Sequence, residues 1–156
     1  MGDITDLLSG EHHQIREALS ELQLAMENDE APLDTLRVLR NMLSSHIFFE
    51  ENYLFDTARN PENAAMINGL EAEHGGILQL LDKIEDYLVR GDAARSKDRA
   101  EGLERVLEAH DVSEMDTVYK VLDDRVDLKS VISARESITV PAGWKSKVLA
   151  KYDRKR

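Results

Sequence analysis

The sequence predicts an all-α fold, an up-down-up-down four-helix bundle with a short helical C-terminal extension. Three observations carry that expectation. Apolar residues recur at three- and four-residue steps through four long stretches, the period of one helix face. Breakers are few, with Gly 8 and Pro 3 in 156 residues, and strand-like alternation is nearly absent. The connections are about 2–5 residues, short enough to force neighbouring helices antiparallel. A chain of 156 residues is one domain long and can bury a sizeable core.

The first predicted helix runs from Asp3 to Glu27, with Ile4, Leu7, Leu8, Ile15, Leu19, Leu22 and Met26 on one stripe. Asn28-Asp29-Glu30-Ala31 breaks it, and Pro32 suits the first turn of the next helix, where a missing N–H costs nothing. That second helix extends to Ala58 through Leu36, Leu39, Met42, Leu43, Phe49, Tyr53 and Leu54. Arg59-Asn60-Pro61 is the next boundary, with Asn60 as its cap. The third helix is predicted from Pro61 to Val89 through Met66, Leu70, Ile77, Leu81, Ile84 and Leu88, and Arg90-Gly91-Asp92 stops it. The fourth runs from Ala93 to Asp124, with Leu103, Val106, Leu107, Val118, Val121 and Leu122. The bundle is thus assigned to residues 1–125. Residues 126–156 form a basic extension, with eight basic residues against three acids, in which Pro141 opens a short helix through Trp144, Val148 and Leu149. The expectation is that these apolar residues pack across one end of the bundle, with a basic contact surface for a protein partner as the alternative.

Composition excludes whole classes of chemistry. Lys plus Arg is 20 and Asp plus Glu is 31, a net charge of -11, which repels the phosphates of nucleic acid and anionic membranes. With Cys 0 there are no disulfides, thiolate zinc sites, iron–sulfur ligands or cysteine nucleophiles. No stretch approaches the ~18 consecutive apolar residues of a membrane span. The opening Met1-Gly2-Asp3-Ile4-Thr5-Asp6 fits neither a secretory leader nor the myristoylation pattern, so a cytoplasmic location is the expectation.

The chain resembles itself. Glu11-His12-His13-Gln14-Ile15 and Glu73-His74-Gly75-Gly76-Ile77 share Glu-His-x-x-Ile at an offset of 62. His46-Ile47-Phe48-Phe49-Glu50 and His110-Asp111-Val112-Ser113-Glu114 share His-x-x-x-Glu at an offset of 64, and Leu54-Phe55 matches Val118-Tyr119 at the same offset. Helices one and two therefore read as a copy of helices three and four, and each helix contributes one matched histidine. All four lie on apolar stripes: His12 four after Leu8, His46 four after Met42, His74 four after Leu70 and His110 four after Val106. In a His-x-x-x-Glu pair both side chains aim the same way, so Glu50 and Glu114 enter the core with the imidazoles. Buried carboxylates need a compensating cation, and a metal centre supplies it. His13 is one step off the stripe, its repeat partner is Gly75, and it is read as exposed or supporting. Glu51, whose repeat partner is Met115, is read in the same way.

One His on the first helix, His-x-x-x-Glu on the second, one His on the third and His-x-x-x-Glu on the fourth resembles the hemerythrin-like HHE cation-binding family. The resemblance covers about residues 1–125. It implies a non-haem di-iron centre with His12, His46, His74 and His110 as terminal ligands and Glu50 and Glu114 as bridging carboxylates. The oxygen-carrying hemerythrins have His-x-x-x-His on the third helix and His-x-x-x-x-Asp on the fourth. Here the corresponding positions are Leu78 and Met115, which brings the pattern closer to the four-His, two-Glu bacterial di-iron proteins.

Imidazole and carboxylate without thiolate independently favour iron, manganese or zinc over copper(I), and iron is the one the resemblance implies. Two octahedral ions need about twelve positions; four imidazoles, two bridging carboxylates and an oxo or hydroxo bridge leave about two for a small ligand. Oxygen, nitric oxide and peroxide fit by size. The leading expectation is therefore a di-iron protein that binds or senses such a ligand, or handles iron or oxidative stress. A di-iron enzyme with peroxidase, catalase-like or nitric-oxide chemistry is the first alternative. A metal-stabilised interaction module is the second. Phe48, Phe49, Tyr53, Phe55 and Tyr119 fall near the ligand turns, where packing is the expectation and a role as redox partners the alternative.

Overall fold

The structure, a computed structural model, describes residues 3–154, with side chains through residue 151. Met1 and Gly2, and the last two basic residues of the tail, lie outside the described residues. The bundle is built from α1 (Ile4–Asn28), α2 (Pro32–Phe49), α4 (Ala64–Val89) and α5 (Ala93–Asp116). A π-helical turn, Glu50–Leu54, and a short α3 (Phe55–Ala58) continue α2, and α6 (Val118–Arg125) continues α5. Helix α1 packs on α2 and α5, and α4 packs on α2 and α5, so sequence neighbours are spatial neighbours, the up-down-up-down arrangement.

Local chemistry sets the ends. Asp3 caps α1 by accepting from the Asp6 N–H at 2.8 Å. Asp92 caps α5 through the Arg95 N–H, directly after Gly91, whose φ of 73° ends α4. Asn60 accepts from the N–H groups of Glu62 and Asn63, but the turn it organises delays α4 to Ala64, three residues later than Pro61. The fourth predicted helix is broken at Thr117, with φ −126° and ψ −86°. Val106, expected on the apolar stripe, is 38% exposed.

The core divides into two apolar layers with a polar layer between them. One holds Ile15, Leu19, Leu43, Ile77, Leu81 and Leu107 among others. The other holds Leu8, Phe49, Leu54, Phe55, Leu70 and Tyr119. Each such buried aliphatic or aromatic side chain contributes about 1.5–3 kcal/mol. Along α1 the layers meet between Leu8 and Ile15, and along α4 between Leu70 and Ile77, so His12 and His74 fall at the junction.

Residues past 125 differ from expectation. A helix, α7 (Leu128–Ser137), precedes the tail; Asp127 caps it and Val131 is fully buried. Pro141 opens a turn, with the Trp144 N–H bonded to its carbonyl, and the helix proper, α8, is Lys147–Arg154. Trp144 meets the Phe48 ring edge-on at 5.2 Å, and α8 lies along α4. Trp144 and α8 therefore lie along the flank of the bundle, while Val131 of α7 packs into the layer that holds Ile4, Ala58 and Leu122. No helix among the described residues is long and apolar enough to cross a membrane.

Candidate metal centre

The four bundle helices bring His12, His46, His74 and His110 into one buried layer with Glu50 and Glu114. Both carboxylates come from helical irregularities. Glu50 begins the π-helical turn, and Glu114 sits three residues before the break at Thr117. Inserted π turns concentrate at functional sites because they re-aim side chains at a cost in regular hydrogen bonding. The two distortions occupy equivalent places in the repeat.

The ligand-type atoms form two groups of four, each within 4.8 Å of one another. One comprises His12, His46, Glu50 and Glu114; the other comprises Glu50, His74, His110 and Glu114. The carboxylates belong to both. His12 and His46 rings meet edge-on at 5.0 Å, and His74 and His110 do so at 4.8 Å, the same motif on each side.

These atoms are close without being bonded to one another. His46 Nε2 and His74 Nε2 each lie 3.2 Å from Glu50 Oε1, and His110 Nε2 lies 3.3 Å from Glu114 Oε2. All five atoms are buried and lack an aligned hydrogen-bond partner. Unsatisfied polar atoms in a core cost about 1–3 kcal/mol each, so five converging on one place need an explanation. Ligands each about 2.1 Å from one ion and near right angles to each other are about 3 Å apart, the spacing seen here. The donor set of nitrogen and oxygen without sulfur suits iron, manganese or zinc.

Outer carboxylates fix three of the imidazoles. His46 Nδ1 donates to Glu11 at 2.9 Å, His74 Nδ1 to Glu51 at 2.8 Å and His110 Nδ1 to Glu73 at 2.7 Å. Each bond sets the tautomer that leaves Nε2 facing the centre, the usual support for a metal-binding histidine. His12 lacks such a partner: its Nδ1 is buried and unbonded, and its Nε2 lies 2.9 Å from the Tyr119 hydroxyl.

Charge balance points the same way. Burial opposes the charged form of His46 and His74, yet the carboxylates around them outweigh it and hold both well above their ordinary 6.5. For Glu114, burial is overcome by the neighbouring imidazoles, that of His110 first and then those of His12 and His74, and the group is held well below 4.5. Glu11 is brought down against burial to about 2 by His46 and Arg135. Burial, then the charges of Glu114 and Glu50, pushes Tyr119 well above 10.0 and keeps it a phenol. Without a metal, protons on the imidazoles supply the positive charge that the carboxylates require.

Two other groups take different places. His13 is exposed and pairs with Glu17 at 2.9 Å. Glu51 is fully buried and supports His74. Tyr119 departs from the packing role expected first of these aromatics. Its hydroxyl is 2.6 Å from Glu50 Oε2 and 3.0 Å from Glu114 Oε1, besides His12. The repeat itself signals two of the supports that sequence reasoning passed over. Glu11 and Glu73 precede His12 and His74 at the same offset, so they recur with the histidines they accompany. Nothing in the repeat marks Glu51 or Tyr119, whose counterparts are Met115 and Phe55.

The family model for the hemerythrin HHE cation binding domain matches residues 3–122. No curated protein and no solved structure gave a match. The chain belongs to the hemerythrin HHE cation-binding domain family, and its buried His and Glu groups fit a metal site.

Proposed function

We propose that this protein holds a pair of non-haem iron ions and binds a small ligand, oxygen, nitric oxide or peroxide, in a sensing or stress-handling role. One observation carries the reading: two four-residue groups share Glu50 and Glu114. Two clusters with common carboxylates suit two bridged ions better than one. His12 and His46 would be terminal ligands of one ion, and His74 and His110 of the other. Such a pair supplies open coordination positions and redox capacity.

The chain's own residues do the rest. Glu11, Glu51 and Glu73 hold three imidazoles in register. The surrounding Leu and Phe layers exclude bulk water and large ligands. Tyr119 has one proton and three acceptors within reach in the metal-free arrangement. With metal held by those acceptors, the Tyr119 O–H beside His12 would be free to donate to a small ligand.

The test is aerobic purification followed by metal analysis and absorption spectroscopy, with and without azide as the probe. The expected result is iron with near-ultraviolet charge-transfer bands that azide perturbs. Zinc alone, with no such bands, would contradict the redox part of the proposal. The buried Tyr119 hydroxyl also favours a second reading, a di-iron enzyme that consumes peroxide, since a phenol can deliver a proton there. Sustained peroxide turnover by the iron-loaded protein would select that reading.

A further inference from the structure

Residues beyond 122 lie outside the family match, yet they reach the centre from two directions. Arg135, on α7, forks onto Glu11: its Nε donates to Oε2 at 2.8 Å and its Nη2 to Oε1 at 3.2 Å. The same guanidinium donates to Ser45 Oγ at 2.9 Å and lies 5.3 Å from the Phe49 ring centre. Glu11 in turn accepts from His46. At the start of α8, the Lys147 backbone N–H donates to Glu51 Oε1 at 3.0 Å, while Glu51 Oε2 accepts from His74. Each route therefore runs from extension to carboxylate to imidazole, with no gap longer than a hydrogen bond.

The approach of α8 is built into α4. A Cβ at Gly75 would sit 3.2 Å from Val148 Cγ1, tighter than ordinary van der Waals contact. Glycine inside a helix costs about 1 kcal/mol relative to alanine, and here it lets α8 reach Glu51. The repeat-equivalent position is His13, whose side chain is exposed.

We propose that the C-terminal extension is a working part of the metal centre: Arg135 and the Lys147 amide are positioning groups that hold Glu11 and Glu51, and through them His46 and His74, so that the extension sets how firmly the centre retains its metal. This rests on the metal-centre reading above. A bidentate Arg–carboxylate pair fixes orientation as well as charge, and a carboxylate so fixed fixes the imidazole that donates to it. Losing an outer partner of a metal-binding histidine typically costs about 10–100-fold in affinity. Arg135 acts one bond further out, so its loss belongs at the lower end of that range.

The test uses the full chain loaded with iron, reading metal per chain and the rate at which a chelator removes it. Arg135→Ala is expected to release iron about tenfold faster, with Arg135→Lys between it and wild type. Val131→Ala loosens α7 packing without touching the guanidinium and is expected to leave the rate near wild type. Lys147→Pro deletes the amide at the first helical position, where proline is tolerated, whereas Lys147→Ala keeps it. Faster release in Lys147→Pro than in Lys147→Ala supports the proposal. Equal rates in Arg135→Ala and wild type, or the same acceleration in Val131→Ala, overturn it. A folded wild type that takes up no metal fails the metal-centre reading itself, before any variant is compared.

Discussion

The two halves of the bundle are copies in sequence that have diverged at the centre they share. Each supplies a lone His from one helix and a His-x-x-x-Glu from the next, and each carries a Glu before the lone His. The second half is supported at both imidazoles: Glu51 holds His74, Glu73 holds His110, and the Phe55 ring stacks on His74 at 5.5 Å. Those two side chains, Glu51 and Phe55, come from the first half and face His74 across the bundle, and the second half has Met115 and Tyr119 at the same repeat positions. His12 consequently has an unbonded Nδ1, and a hydroxyl stands at its Nε2. The lesson is that a symmetric set of His and Glu residues has unequal surroundings: a carboxylate holds His74, while a hydroxyl stands beside His12.

The largest effect follows from what the halves share. Because Glu50 and Glu114 serve both groups, His46→Ala and His110→Ala are each expected to strip most of the metal, not half of it. Removing one partner of a buried charge pair also costs about 3–5 kcal/mol, so the Tm of both variants should fall. Elemental analysis and thermal melts check this. Retention of half the metal in either variant would show two independent sites.

Proton and metal oppose each other across the same atoms, and pH separates them. In the metal-free protein the raised His46 and His74 contribute stability below their ordinary 6.5, which is lost as pH rises through their higher folded values. The depressed Glu114 contributes above 4.5 and loses its share as pH falls through its lower folded value. Metal-free Tm is therefore expected to decline from pH 6.5 toward 9. The iron-loaded protein should hold its Tm there, because metal requires deprotonated imidazoles. A metal-free Tm that climbs over that interval contradicts this balance.

Smaller changes test the asymmetry itself. Glu51→Met copies the second half's residue into the first and should weaken metal retention about 10–100-fold, read by chelator competition. Tyr119→Phe copies in the other direction. It should leave metal content intact and weaken azide binding about tenfold, the value of one hydrogen bond to a charged partner. Unaltered azide affinity would remove Tyr119 from the ligand site. His13→Ala, off the stripe and exposed, should change neither metal content nor Tm measurably.

Sequence pattern carried the bundle far because helical period and short loops are local signals. The histidines were legible because four of them fall on apolar stripes, where an imidazole is conspicuous. What was not legible depends on long-range contact. The meeting of Glu51 with His74 spans 23 residues, and that of Arg135 with Glu11 spans 124. The hydroxyl of Tyr119 reads as one more aromatic position until three helices converge around it. The π-helical turn at Glu50–Leu54 likewise leaves no mark, since its residues suit an ordinary helix. The last helix was misplaced because Pro141 opens a turn closed by Gly143 at φ 73°, and the helix waits until Lys147.

Anomalous X-ray diffraction at the iron edge, from a crystal of the iron-loaded wild type, addresses the central claim most directly. The expected result is two peaks flanking the Glu50 and Glu114 carboxylates, one beside His12 and His46 and the other beside His74 and His110. A single peak, peaks away from these six residues, or no peak in iron-loaded crystals would contradict it.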